Sequence, residues 1–266
     1  MDWSPTVAYC VGLITTDGCL SGDGRHIEFS SKDLELVEYI RNGFQLTNRI
    51  STKSRGGGPQ RYFRIQFGSV TLYQWLCSIG LSPRKSLTLS SMEIPDQLFA
   101  DFLRGHLDGD GTIIVYQDSV FPNSLRCYTR FYSGSAKHLE WLRTTITRMW
   151  AIKGYQNSDG PIFRLCYAKK ASLELLRHLY YDNRLPYLSR KWQIAEGAFI
   201  RQAEVVKLAN TRASEARAER LGGSTPPLRS SLLRCQALPP LCEVPGTSSR
   251  GGGRLSPAGC TSRPTV

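Results

Sequence analysis

Asp17 and Asp110 are the residues of this 266-residue chain best placed to do chemistry. Each closes an apolar run and is followed by glycine: CVGLITTDG at 10–18 and LRGHLDGDG at 103–111. An aspartate at the C-terminal end of an apolar helix is badly placed, because the last carbonyls carry roughly half a negative charge. Gly12 and Gly105 stand mid-helix, where glycine costs about 1 kcal/mol relative to alanine. Close backbone packing at those two glycines would offset the cost and bring Asp17 and Asp110 to one end of a helix pair. Two carboxylates and two negative helix ends would then repel, and a hard divalent cation such as Mg²⁺, or Mn²⁺, is the partner that oxygen-rich surroundings select.

One Asp-Gly is ordinarily a turn; two at the same point of a repeat are not. The chain does repeat, with the aspartates 93 positions apart. After each motif come an alternating segment (HIEFSS; RCYTRFYS), a helical pattern (DLELVEYIRNGF; AKHLEWLRTTITRMW), further alternation (RISTKS with RYFRIQF; FRLCYAK) and another helical pattern (VTLYQWLCSIG; ASLELLRHLYY). Each half closes on a basic pair, SPRKS at 82–86 and LSRKW at 188–192. The expected fold is α+β, a tandem pair of αββαββα repeats at 1–80 and 94–200 joined by a linker at 81–93. Ser4-Pro5 and Ile94-Pro95-Asp96 read as helix starts, and Gly18 and Gly111 as left-handed helix caps. Asp108-Gly109-Asp110-Gly111 is not a calcium loop, since the twelfth position from Asp108 is Ser119 rather than an acid.

Alternation sorts the strands into two faces. Phe63, Ile65 and Phe67 share one side of RYFRIQF, and Tyr62, Arg64 and Gln66 the other. Arg126, Tyr128 and Arg130 share a side in the second repeat, where Arg164 joins them, and Arg49, Ser51 and Lys53 fall on a further strand. Basic and hydrogen-bonding faces in both halves point to nucleic acid, with cations on phosphates and Arg or Gln on base edges.

Composition agrees. Lys and Arg number 34 against 22 Asp and Glu, a net charge of +12. All 27 aromatic residues precede Ala203, and residues 204–266 carry +5 of the charge with half of the 14 prolines. Such a segment cannot offset its own ordering entropy, so 204–266 reads as a disordered basic tail, with a short helix from Glu204 to Arg220. Its opening, AEVVKLANTRASEARAERLGGSTPPLR, resembles a transfer-RNA gene read as codons. No segment is apolar enough to span a membrane, and no secretion signal opens the chain. Cys10, Cys19, Cys77, Cys127 and Cys166 form no CxxC pair, which fits a reducing cytoplasm or an organellar matrix. Gly56-Gly57-Gly58-Pro59 lacks the Lys-Ser or Lys-Thr of a phosphate loop and reads as a hairpin connection. Cys235, Cys242 and Cys260 have irregular spacing and no role.

The two motifs resemble the signature of the LAGLIDADG homing endonucleases in their single-chain, two-motif form. The resemblance covers residues 4 to about 200; the second copy is close, and the first departs at Thr15 and Thr16. It implies motif helices at a central interface, two antiparallel sheets forming a saddle over double-stranded DNA, and a monomer. It also implies that Asp17 and Asp110 hold divalent metal, helped by backbone oxygens of Thr16 and Gly109, and that one phosphodiester per strand is hydrolysed. A basic residue belongs in each such active site; Lys85 and Lys191 are the candidates, with Lys32 as another, while Asp23, Asp108 and the histidines receive no role. A gene within an intron or a free-standing mobile gene is expected, and an intact intein is not, since the chain lacks the terminal residues of one. An intron RNA maturase and a non-cleaving DNA-binding protein on the same scaffold are the competing functions. Retention of both acids argues against the second.

Overall fold

The computed structural model describes residues 1–54, 61–120 and 125–222. The hairpin connection expected at Gly56–Pro59 and the cysteines at 235, 242 and 260 lie outside these residues. The chain divides into two compact units, Met1–Ala218 and Glu219–Val266, and the first contains both repeats.

The first repeat runs α1 (Pro5–Asp17), β1 (Gly18–Leu20), β2 (His26–Ser31), α2 (Leu34–Gly43), β3 (Ser51–Ser54), β4 (Arg61–Gly68) and α3 (Val70–Ser78). The second runs α4 (Phe99–Asp110), β5 (Thr112–Gln117), β6 (Leu125–Ser133), α5 (Ala136–Trp150), β7 (Tyr155–Asp159), β8 (Ile162–Ala168) and α6 (Lys170–Leu179), followed by α7 (Ser189–Gly222). Each repeat forms a four-stranded antiparallel sheet of the same order, β1-β2-β4-β3 and β5-β6-β8-β7. The expected α+β tandem is the observed one.

Alternation produces the layers. Ile27, Phe29, Ile65 and Phe67 are buried under the helices of the first sheet, as are Cys127, Thr129, Phe131, Leu165 and Tyr167 in the second. Arg64, Arg126, Tyr128, Arg130 and Arg164 sit on the opposite faces, half exposed, with Gln66 exposed beside them. Burying one face and wetting the other is what an antiparallel sheet permits.

α1 starts where expected: Ser4 Oγ accepts from the Val7 amide at 3.2 Å, and Pro5 occupies the first turn. It is buried continuously from Val7 to Thr15, so it is a core helix rather than an amphipathic one. α4 begins later than its proline suggests, because Asp96–Leu98 form a 3₁₀ turn first.

Three expectations are corrected. Gly18 (φ −82°, ψ 150°) and Gly111 (φ −89°, ψ 170°) are extended, not left-handed. Glycine is needed there for clearance: a Cβ on Gly18 would lie 2.6 Å from Ile14 O, and one on Gly111 2.5 Å from Leu107 Cδ1. Helix thus passes almost directly into strand: β1 starts one residue after Asp17 and β5 two residues after Asp110. Arg49 precedes β3 instead of lying on it. The helix expected at 204–220 is the last part of α7, a continuous 34-residue helix.

Candidate active site

Backbone contact between α1 and α4 builds the site. A Cβ on Gly12 would stand 2.1 Å from Phe102 O, and one on Gly105 2.1 Å from Tyr9 O. No side chain fits at either point, so the two mid-helix glycines are where the helices touch, as their cost in the sequence suggests. Both helices then end together. A Cβ on Gly109 would meet Thr16 Oγ1 at 1.9 Å and Asp17 Oδ2 at 3.1 Å, so the carboxylate of one motif lies against the residue preceding the acid of the other.

The lysine absent from each helix end in the sequence arrives from elsewhere. Lys85 donates to Gly18 O at 2.5 Å and to Thr16 O at 3.5 Å. Lys191 donates to Leu107 O, Asp108 O and Gly111 O at 2.5, 2.9 and 2.8 Å. Both are buried, at 6% and 4% exposure, and their charges oppose the negative ends of α1 and α4. Burial pulls the Lys191 ammonium down to about 8, and Asp108, Asp17 and Asp110 pull it upward. Lys85 is likewise lowered by burial, with Cys19, Asp17 and Asp110 opposing. Each lysine therefore feels both acids, which places the four groups in one electrostatic neighbourhood. The carboxyl of Asp110 is raised by the protein around it against the pull of Lys191 and Lys85, although its edge is exposed.

The geometry alters the part the lysines can take. All three Nζ–H bonds of Lys191 go to carbonyls, so it cannot be the direct phosphate ligand that a basic active-site residue suggests; it acts by clamping the helix end and by charge through space. Lys32 is the exposed cation. It lies over the Tyr62 ring at 5.6 Å and lines a cleft of about 660 Å³ with Asp17, Gly109, Lys53, Arg84 and Arg190. Arg190, from the second repeat, is held there by Asp33 of the first at 2.9 Å.

The donor chemistry fits a hard cation. Asp17 and Asp110 offer carboxylate oxygens, Thr16 and Gly109 offer carbonyls, and the missing side chain of Gly109 lets Thr16 and Asp17 approach it closely. Among the described residues no group of three or more His, Cys, Asp or Glu could hold a metal ion.

Acids also stand on the basic sheet faces, a feature that the pattern of cations does not reveal. Glu28 pairs with Lys53 at 3.0 Å and Arg64 at 3.7 Å, and Asp118 pairs with Arg126. Arg164 donates to Asn157 at 2.9 Å, Arg130 lies over the Tyr128 ring at 5.5 Å, and the Ser51 hydroxyl donates to Arg64 O at 3.4 Å. These ties order the long side chains before any partner arrives.

No protein-family model and no curated protein matches the chain. Solved structures do. The homing endonuclease I-WcaI bound to its DNA recognition sequence aligns with a TM-score of 0.52 at 12% identity, covering 72% of this chain and 87% of that one. The fold is that of the LAGLIDADG homing endonucleases. The LAGLIDADG homing endonuclease I-GzeII in complex with DNA target gives 0.49 at 13% identity over 79% of this chain and 92% of that one. Full-length DUF199/WhiA from Thermatoga maritima gives 0.49 at 16% over 82% and 71%.

Proposed function

We propose that this chain is a site-specific DNA endonuclease that makes a double-strand break by hydrolysing one phosphodiester in each strand. The observation that carries the reading is the glycine-packed pair of helices α1 and α4, which end in Asp17 and Asp110 and are each clamped at that end by a buried lysine. A protein that only grips a polyanion gains nothing from two carboxylates beside its phosphates. Asp17 and Asp110, with the carbonyls of Thr16 and Gly109, are the residues that would hold Mg²⁺ or Mn²⁺. Bound there, such an ion supplies Lewis-acid stabilisation of phosphorane charge and a more acidic attacking water. The protein's own work is positional. The glycine contact sets the spacing of the acids, Lys85 and Lys191 offset the helix ends, and Lys32 and Arg190 present charge to phosphate in the cleft. The sheet faces bearing Tyr62, Arg64, Gln66, Arg126, Tyr128, Arg130 and Arg164 bind the duplex, consistent with the DNA named for I-WcaI.

The test is cleavage of plasmid carrying the DNA that flanks this reading frame. Mg²⁺-dependent double-strand cutting is expected, reduced at least ~100-fold by Asp17→Asn or Asp110→Asn, with binding retained. Cutting that survives both substitutions, or that persists after chelation, would overturn the assignment. RNA binding with splicing of the flanking intron and no DNA cutting would favour the maturase reading instead.

A further inference from the structure

Asp108 has no part in the function above, yet it is fully buried two residues before Asp110. Its Oδ2 accepts from the Tyr9 hydroxyl and from the Leu188 amide, both at 2.8 Å. The Leu188 bond is the telling one. Leu188 O in turn accepts from the Lys191 and Trp192 amides at 2.9 and 3.0 Å, so Leu188 opens the first turn of α7, the turn from which Lys191 reaches the end of α4. A carboxylate is thus connected through one amide and one helical turn to the lysine that clamps the adjacent helix terminus.

The first repeat has no such device. Thr15 occupies the position of Asp108, and its hydroxyl turns back onto Val11 O of its own helix at 2.7 Å and toward Met92 Sδ at 3.5 Å. The lysine of that half is held more loosely, by one bond at 2.5 Å and one at 3.5 Å. Lys191 has three bonds of 2.9 Å or less. The Thr15–Asp108 difference between the two motifs coincides with a difference in how firmly their lysines are fixed.

We propose that Asp108 is a positioning residue that acts through Leu188 and Lys191, and that it makes the two catalytic halves unequal. The inference rests on the endonuclease reading. A preorganised half loses less to misalignment at the moment of reaction, so one strand of the duplex is cut ahead of the other and a nicked intermediate passes through.

Asp108→Thr, which places in the second repeat what the first already has, and Asp108→Asn, which keeps an oxygen for both donors, are compared with the wild type in a supercoiled-plasmid assay that scores each strand. Wild type and Asp108→Asn are expected to nick one strand preferentially. Asp108→Thr is expected to slow that strand roughly tenfold, with the other changed less than about twofold and DNA affinity unchanged. Hydrogen exchange at the Leu188 amide supplies a readout independent of cutting: protected in wild type and Asn, exposed in Thr. Equal slowing of both strands, or protection of Leu188 retained in Asp108→Thr, would overturn the proposal. A wild-type protein that cuts no DNA would remove the endonuclease reading and this inference with it, and is recognisable before any substitution is made.

Discussion

The imidazoles of His106 and His138 are stacked in the core of the second repeat, with their Nε2 atoms 3.1 Å apart. His138 Nδ1 lies 2.9 Å from Ser90 O, an acceptor only, so Nδ1 carries the proton and Nε2 is bare. His106 Nε2–H must then donate to it, leaving His106 Nδ1 as the unpartnered buried atom that is observed. The hydrogen-bond partners thus assign a neutral pair with these tautomers. Burial lowers His138 from 6.5 to about 4, and His106 also falls. The unfolded chain takes up protons near pH 6.5 while the fold refuses them, so this stability is complete above pH 6.5 and is lost as pH falls toward 4. Asp108 works the other way, because burial raises it to about 6 and the folded state protonates first. Comparison of variants separates the two effects. His138→Gln is expected to lose roughly 2 kcal/mol less than wild type between pH 7 and pH 5 in urea denaturation; identical pH dependence would show that His138 is accessible to protons in the fold.

Helix crossing is the element-level step on which the site depends, and it rests on two glycines. Alanine at 105 gains about 1 kcal/mol in helix propensity, but its Cβ would stand 2.1 Å from Tyr9 O, a backbone atom that cannot rotate away. The clash wins: Gly105→Ala should destabilise the fold by about 2 kcal/mol or more, and Gly12→Ala similarly. Thermal unfolding checks this, and an unchanged Tm would mean the helices are further apart than described. This crossing was legible in the sequence because mid-helix glycine has a known cost and occurred at the same place twice. The order of helices and strands was legible too, since alternation and helical spacing are local signals. What sequence could not show is contact at a distance. Lys85 and Lys191 were visible as a matching pair, but their bonds run to carbonyls 67 to 84 residues away. The Thr15–Asp108 mismatch is visible in the sequence, but its meaning depends on Leu188, 80 residues on. The loss of aromatics after Phe199 ends a core but not a helix, since Ala, Glu, Arg and Leu continue one readily, so the segment expected as a separate short helix from Glu204 to Arg220 is the continuation of α7. The linker at 81–93 is no loose tether: Leu89 O accepts from Ser135 and Ser90 O from His138, while Lys85 ties it to the end of α1.

For the whole molecule, net charge of +12 raises the question of which cations meet DNA. Nine Lys and Arg against four Glu lie from Glu204 onward, in a stretch without aromatics, while the cleft and the sheet faces of the first compact unit hold cations ordered by Glu28, Asp33, Asp118 and Tyr128. Ordered cations neutralise phosphate at fixed positions and release counterions on binding, which gives a log–log salt slope of about −0.9 per phosphate neutralised. If the duplex rests on the sheets, removing the second unit leaves that slope nearly unchanged, and removing one sheet cation moves it by about one. On the proposed endonuclease reading, a protein ending at Ala218 should therefore cut its target at the full-length rate with the same salt dependence, while Lys32→Ala or Arg130→Ala should flatten the slope by roughly 0.9. Binding isotherms across salt concentration decide the matter. A slope that collapses on truncation would assign the electrostatic contact to residues 219–266, and would leave the two sheets with recognition but little of the affinity.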